Sequence, residues 1–162
     1  VEPALQQGMT KNKLSPHKLS LAVQYASGAQ RLPARAQFRR WIKAALQRDA
    51  AITLRVVDAP EGRELNRKFR GKDYATNVLT FVYDDSKTLT GDIVICAPVV
   101  EREAADQHKE LPAHYAHLAI HAVLHLQGYG HENEADAAGM ETLETALMLK
   151  LRYPDPYQMT RH

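Results

Sequence analysis

The sequence predicts an α+β fold: a small mixed sheet of about four strands packed by about five helices. Three observations predict it. Alternating apolar residues, the mark of a half-buried strand, fall in the first two thirds of the chain. Helical periodicity separates these runs and then fills the last third. Proline and glycine stand at many of the joints. The order reads β-α-β-α-β-β-α-α-α.

Leu19, Leu21, Val23 and Tyr25 alternate with Ser20, Ala22 and Gln24, which predicts a strand. After Gly28 and Pro33, the spacing of Phe38, Trp41, Ile42, Ala45 and Leu46 predicts a helix, with Arg35, Arg39, Arg40 and Lys43 on its other face. Ile52, Leu54 and Val56 mark the next strand, over 51–57. Asp58 is placed to cap a short helix with Pro60 in its first turn, carrying Leu65 and Phe69 and ending near Gly71. Two strands follow, Asn77–Tyr83 and Asp92–Cys96, joined by Asp84–Gly91. Pro98–His108 and Pro112–Gln127 read as helices, the second stopped by Gly128. A last helix opens at Asn133 as N-cap, with Asp136 as its partner. It runs through Leu143, Leu147 and Leu151 to Pro154 and Pro156, and Met140 and Met148 belong to its core face.

The chain has 162 residues, 44% apolar and 25% charged, the composition of an ordinary globular domain. One domain is expected over residues 18–158, with a flexible N-terminal segment at 1–17 and a short tail at 159–162. The single cysteine, Cys96, excludes an internal disulfide and a thiolate zinc cluster; in an apolar strand it reads as a small buried hydrophobe. No apolar run approaches the ~20 residues of a membrane span. Val1–Met9 lacks the basic start and apolar stretch of a secretory signal, so a cytoplasmic location is the expectation. Charge is uneven: residues 1–75 hold 15 Lys/Arg against 6 Asp/Glu, and residues 76–162 hold 6 against 13. Such a split fits either a polyanion partner or two halves that neutralise each other in the fold.

The most informative pattern is His121-x3-His125-x5-His131. Residues i and i+4 share a helix face, so the imidazoles of His121 and His125 converge. Gly128 breaks the helix, and His131 can return to the same point from the loop. Three neutral imidazoles and no fourth protein ligand describe a catalytic zinc site with an open position. His117 forms another i, i+4 pair with His121, but it lies about 12 Å along the helix from His125. It is read as a supporting or core histidine. Zinc proteases with the pattern H-E-x-x-H-x-x-G-x-x-H share the three histidines and the glycine. Their glutamate base is replaced here by Ala122, whose methyl group cannot take a proton.

The run His121-Ala122-Val123-Leu124-His125-Leu126-Gln127-Gly128-Tyr129-Gly130-His131 resembles the signature H-G-x-L-H-L-x-G-Y-D-H of the YbeY family, bacterial zinc-dependent endoribonucleases of ribosomal RNA maturation. Leu65–Asp73 and Thr76–Phe81 resemble that family's L-N-x-x-(aromatic)-R-x-K-(D) and T-D-V-L-S-F stretches. Gly91–Ile95 and Pro154-Asp155-Pro156-Tyr157 also fit, so the likeness spans about residues 19–157. There are two departures: Ala122 replaces a glycine, and Gly130 replaces the aspartate before the third histidine. The second removes a carboxylate beside the metal, leaving Glu132, Glu134 and Asp92 as substitutes.

The resemblance implies one Zn2+ per chain, held by His121, His125 and His131, in a single-strand-specific endoribonuclease. It further implies action in 16S rRNA 3′ end maturation and ribosome quality control. Implied partners are ribosomal RNA and the ribosome, with ribosomal proteins or a ribosome-associated GTPase. Arg70 occupies the family's arginine position. A fixed guanidinium there would stabilise the negative charge that builds on a phosphodiester in its transition state. Arg35, Arg39, Arg40, Lys43, Arg63, Arg67, Lys68 and Lys72 are candidate phosphate contacts. The competing expectations are a zinc peptidase, for which Ala122 supplies no base, and a non-catalytic RNA-binding factor with structural zinc.

Overall fold

Among the described residues, alternation and helical periodicity translate into nine elements in the predicted order. The computed structural model describes residues 16–130 and 133–158. The strands are β1 (Leu19–Ala26), β2 (Ala50–Val57), β3 (Val78–Asp84) and β4 (Leu89–Cys96). The helices are α1 (Arg35–Ala45), α2 (Ala59–Arg70), α3 (Ala97–Asp106), α4 (Leu111–Leu126) and α5 (Glu134–Lys150). The strands form one sheet in the order β1-β2-β4-β3. β1, β2 and β4 are mutually parallel, and β3 runs antiparallel to β4 along the edge.

The period of two sorts the side chains between the faces. Ile52, Leu54 and Val56 of β2, with Ile93 and Ile95 of β4, point toward α1, α4 and α5 and build the main core with Phe38, Trp41, Tyr115 and Leu124. Val57, Val94 and Cys96 point the other way and meet Leu79, Val99 and Leu65 in a smaller cluster. Cys96 is buried there, as expected.

β4 begins three residues before the predicted Asp92. Leu89 is fully buried and Thr90 pairs with Asp84, but Gly91 carries no side chain to continue the alternation in the sequence. Asp58 occupies the N-cap position of α2, yet its carboxylate caps nothing. It accepts instead from the Ser27 hydroxyl at 2.5 Å and the Gly28 amide at 3.1 Å, tying the end of β1 to the start of α2. Asn133 caps α5 as predicted, its side chain accepting from the Asp136 amide at 2.9 Å. Met140 and Met148 lie in the core. No helix among the described residues is long and apolar enough to cross a membrane.

α4 is the central helix. It is apolar almost all round, and nearly every residue from Leu111 to Leu126 is buried, as a helix enclosed on all sides requires. It ends where Gly128 adopts φ +103°, a backbone that favours glycine. Gln127 pins this turn by donating to the Ala45 carbonyl at 2.9 Å and accepting from the Gln47 amide at 2.6 Å.

Candidate metal centre

A ladder of four histidines runs along α4. Ring centroids step from His114 to His117 in 6.5 Å, to His121 in 6.2 Å and to His125 in 4.6 Å. The 3- and 4-residue spacings keep all four on one stripe. His114 and His117 are buried, whereas His121 and His125 are half-buried. The predicted convergence of His121 and His125 is therefore present, with their rings at 79°. The third expected ligand, His131, lies outside the described residues, as do residues 1–15, 159–162 and Glu132.

The sequence reading missed Glu144. It lies midway along α5, is 0% exposed, and shares a helix face with Met140 and Met148. A charge at i+4 and i−4 from two core methionines was the available signal. Its carboxylate accepts from His117 Nε2 at 2.9 Å, from His121 Nδ1 at 2.5 Å and from the Tyr157 hydroxyl. Burial alone would raise its pKa; the three donors outweigh this and hold it at about 2. Burial lowers the pKa of His117, with Glu144 opposing the shift, and raises that of the Tyr157 phenol, where Glu144 adds to it. His117, His121 and Glu144 bring one ligand atom each within 4.8 Å of one another, a donor set that could hold a metal ion. His117, expected as a supporting or core histidine, is buried and hydrogen-bonded to Glu144.

A second carboxylate serves the buried end of the ladder. Glu103 of α3 accepts from His114 Nε2 at 2.9 Å and from Asn77 Nδ2 at 3.1 Å. Between these clusters opens a cavity of about 520 Å³, lined by Asn77, Glu103, His114, His117, His121 and Tyr157 among others.

Arg70 is the last residue of α2, exposed, and makes no hydrogen bond or ion pair among the described residues. Its neighbours on α2 differ: Arg63 pairs with Asp73 at 2.8 Å and Arg67 with Glu64 at 2.7 Å. Arg35 and Arg39 are also engaged, donating to the Val23 and Leu19 carbonyls of β1. Four of the eight expected phosphate contacts are therefore occupied within the protein. The pairs Arg55–Glu61, Arg63–Asp73 and Arg67–Glu64 all fall inside the basic half, so these arginines are neutralised locally rather than by the acidic half. No hydrogen bond or ion pair among the described residues joins Arg70 to α4. Asp92, a possible substitute for the carboxylate lost at Gly130, accepts from the Tyr83 hydroxyl at 2.7 Å on the sheet face opposite α4. Tyr129 is tied to Gln47 through its hydroxyl.

The family model for endoribonuclease YbeY matches residues 24–152. The chain is 58% identical over 137 residues to a Nitrosomonas eutropha protein named endoribonuclease YbeY, covering 85% of this chain and 97% of that one. It is 54% identical over 159 residues to the protein of the same name from Nitrosomonas europaea, covering 96% and 97%. Its fold is similar to a Thermotoga maritima protein solved in solution, with a TM-score of 0.58 and 25% identity over 81% of this chain and 88% of that one. The signature read around the α4 histidines is thus carried by a chain that matches its relatives almost from end to end, and this chain belongs to the endoribonuclease YbeY family.

Proposed function

We propose that this protein is a zinc-dependent, single-strand-specific endoribonuclease that processes ribosomal RNA, with residues 18–158 acting as one catalytic domain. The observation that carries the reading is the pair His121 and His125, 4.6 Å apart at the accessible end of a buried helix, in a chain of this family. His121 and His125, completed by His131, are the proposed ligands. The donor chemistry fits: neutral imidazoles suit zinc, and a carboxylate on the remote nitrogen of one ligand is the usual support. A zinc ion held there supplies Lewis-acid polarisation of a phosphoryl group.

The chain's own residues do the rest. Arg70, with no partner to leave among the described residues, is available to a non-bridging phosphate oxygen and presents paired donors in a fixed planar fork. Lys72 and Lys68 stand beside it on the same exposed surface, where they add affinity without reading sequence. Phe69 is 56% exposed and braced edge-on by Phe81 at 5.3 Å, which suits it to stack on an unpaired base. We place the activity in the cytoplasm, with the ribosome as the site of action and in ribosome quality control. Ribosomal proteins or a ribosome-associated GTPase are the proposed protein partners.

A peptidase reading loses its footing at Ala122, which is fully buried and holds no base at the position where zinc proteases carry one. The experiment supplies ribosomal RNA and casein to purified protein with and without chelator, with a His125→Ala preparation in parallel. Chelator-sensitive RNA cleavage absent from His125→Ala supports the proposal. Casein cleavage, or RNA binding without cleavage, overturns it.

A further inference from the structure

Glu144 offers its two oxygens to two histidines through different nitrogens. Oε1 takes His117 Nε2 at 2.9 Å, and Oε2 takes His121 Nδ1 at 2.5 Å. These are hydrogen-bond separations. Two ligands of one tetrahedral zinc sit about 3.4 Å apart, so the contacts as arranged are not those of an ion's shell. A carboxylate without a proton only accepts, so each histidine must present an N–H to it. For neutral rings this fixes opposite tautomers: Nε2–H at His117 and Nδ1–H at His121. The lone pair of His121 is then on Nε2, the ring nitrogen away from Glu144.

The carboxylate is itself held. The Tyr157 hydroxyl donates to Oε1. Thr145 and the Tyr157 amide engage Asp155, which folds the segment after α5 back over the helix. The Tyr157 ring stands edge-on to His117 at 5.3 Å. Full burial leaves Glu144 no water with which to exchange these donors.

We infer that Glu144 is a positioning residue for the metal centre: it locks His121 as the Nδ1–H tautomer with Nε2 ready for a divalent cation, while His117 and Tyr157 lock Glu144. The inference rests on the proposal that His121 is a ligand, not on the identity of the substrate. His117 and Glu144 are, on this view, outside the coordination shell.

The test begins with the unaltered chain, metal-free, at a pH where imidazoles are neutral. Long-range 15N–1H correlation spectra of histidine-labelled protein should show Nδ1–H at His121 and Nε2–H at His117. Nε2–H at His121 overturns the inference without recourse to a variant. Zinc affinity is then read by competition with a chelating dye. Glu144→Gln has one acceptor oxygen for two histidine donors, and should weaken zinc about 10- to 100-fold while binding stays at one ion per chain. Tyr157→Phe should weaken it by less, and His117→Ala should also retain one ion per chain. Loss of the ion in both Glu144→Gln and His117→Ala, with circular dichroism unchanged, would mean that they ligate directly and overturns the inference. Unchanged affinity in Glu144→Gln overturns it as well. If tautomers and affinities are as expected but no RNA is cut, the nuclease reading fails and this one stands.

Discussion

The backbone carbonyl of Phe81 lies where a side chain on Gly91 would begin: a Cβ there would meet that oxygen at 2.6 Å and Leu126 Cδ2 at 3.1 Å. β3 and β4 pair across this point, and α4 presses Leu126 against it immediately after His125. Leu126 can rotate away, but a carbonyl in a sheet ladder cannot. Gly91→Ala should therefore destabilise the fold by about 1–3 kcal/mol, the usual cost of overpacking. Urea unfolding checks it; a midpoint within error of the parent would show that the strand pair yields more easily than the geometry allows.

Arg70 should separate chemistry from stability. Because it is exposed and, among the described residues, makes no hydrogen bond or ion pair, Arg70→Ala should leave unfolding within about 0.5 kcal/mol of the parent. RNA cleavage should fall by about 10²–10³, the loss seen when one charge-stabilising donor is removed. Arg67→Ala is the control: it breaks an exposed pair with Glu64, and both cleavage and stability should change little. Equal loss of cleavage in the two variants would show that Arg70 acts only as one of many surface charges.

Much of this was legible in the sequence because the signals are local. The i, i+4 spacing of His121 and His125, the helix break at Gly128 and the Asn133 cap each depend on a few neighbouring residues and standard backbone geometry. What was illegible depends on distant partners. Glu144 gains its role from His117 and His121, at least 23 positions earlier, and from Tyr157 across a turn. Asp58 looked like a cap because caps are local, but Ser27, 31 positions before it, claimed the carboxylate. Arg35 and Arg39 read as a phosphate surface, yet β1 is a sheet edge with carbonyls to satisfy, which only the strand order reveals.

Zinc should stabilise the folded chain, since the proposed ligands converge only in the native state. At a free concentration 100 times the dissociation constant, the added stability is about 2.7 kcal/mol, and a domain of this size should gain roughly 5–11 °C in Tm. Differential scanning fluorimetry with chelator and with restored zinc reads this directly. The same titration on His121→Ala should be flat; a full response there would place the ion elsewhere.

Glu103 gives the fold a pH dependence that can be assigned a sign. It links the start of β3 through Asn77 to the buried end of the histidine ladder through His114. Burial raises its pKa, but the donors from His114 and Asn77 together outweigh that and leave it below the ordinary glutamate value. A carboxylate whose folded pKa is depressed contributes stability above its unfolded pKa of about 4.3, and that contribution is lost as pH falls through the folded value. Replacing Glu103 with Gln keeps the shape and removes the charge. At pH 7 the variant should be less stable by about 1–2 kcal/mol, the worth of hydrogen bonds to a half-buried charged group. Only as pH falls below the depressed folded value should the two proteins converge, because the parent is then protonated as well. Paired urea titrations from pH 7 down to pH 3 check both halves. A gap that stays constant across that range would show that Glu103 acts through its packing and not through its charge.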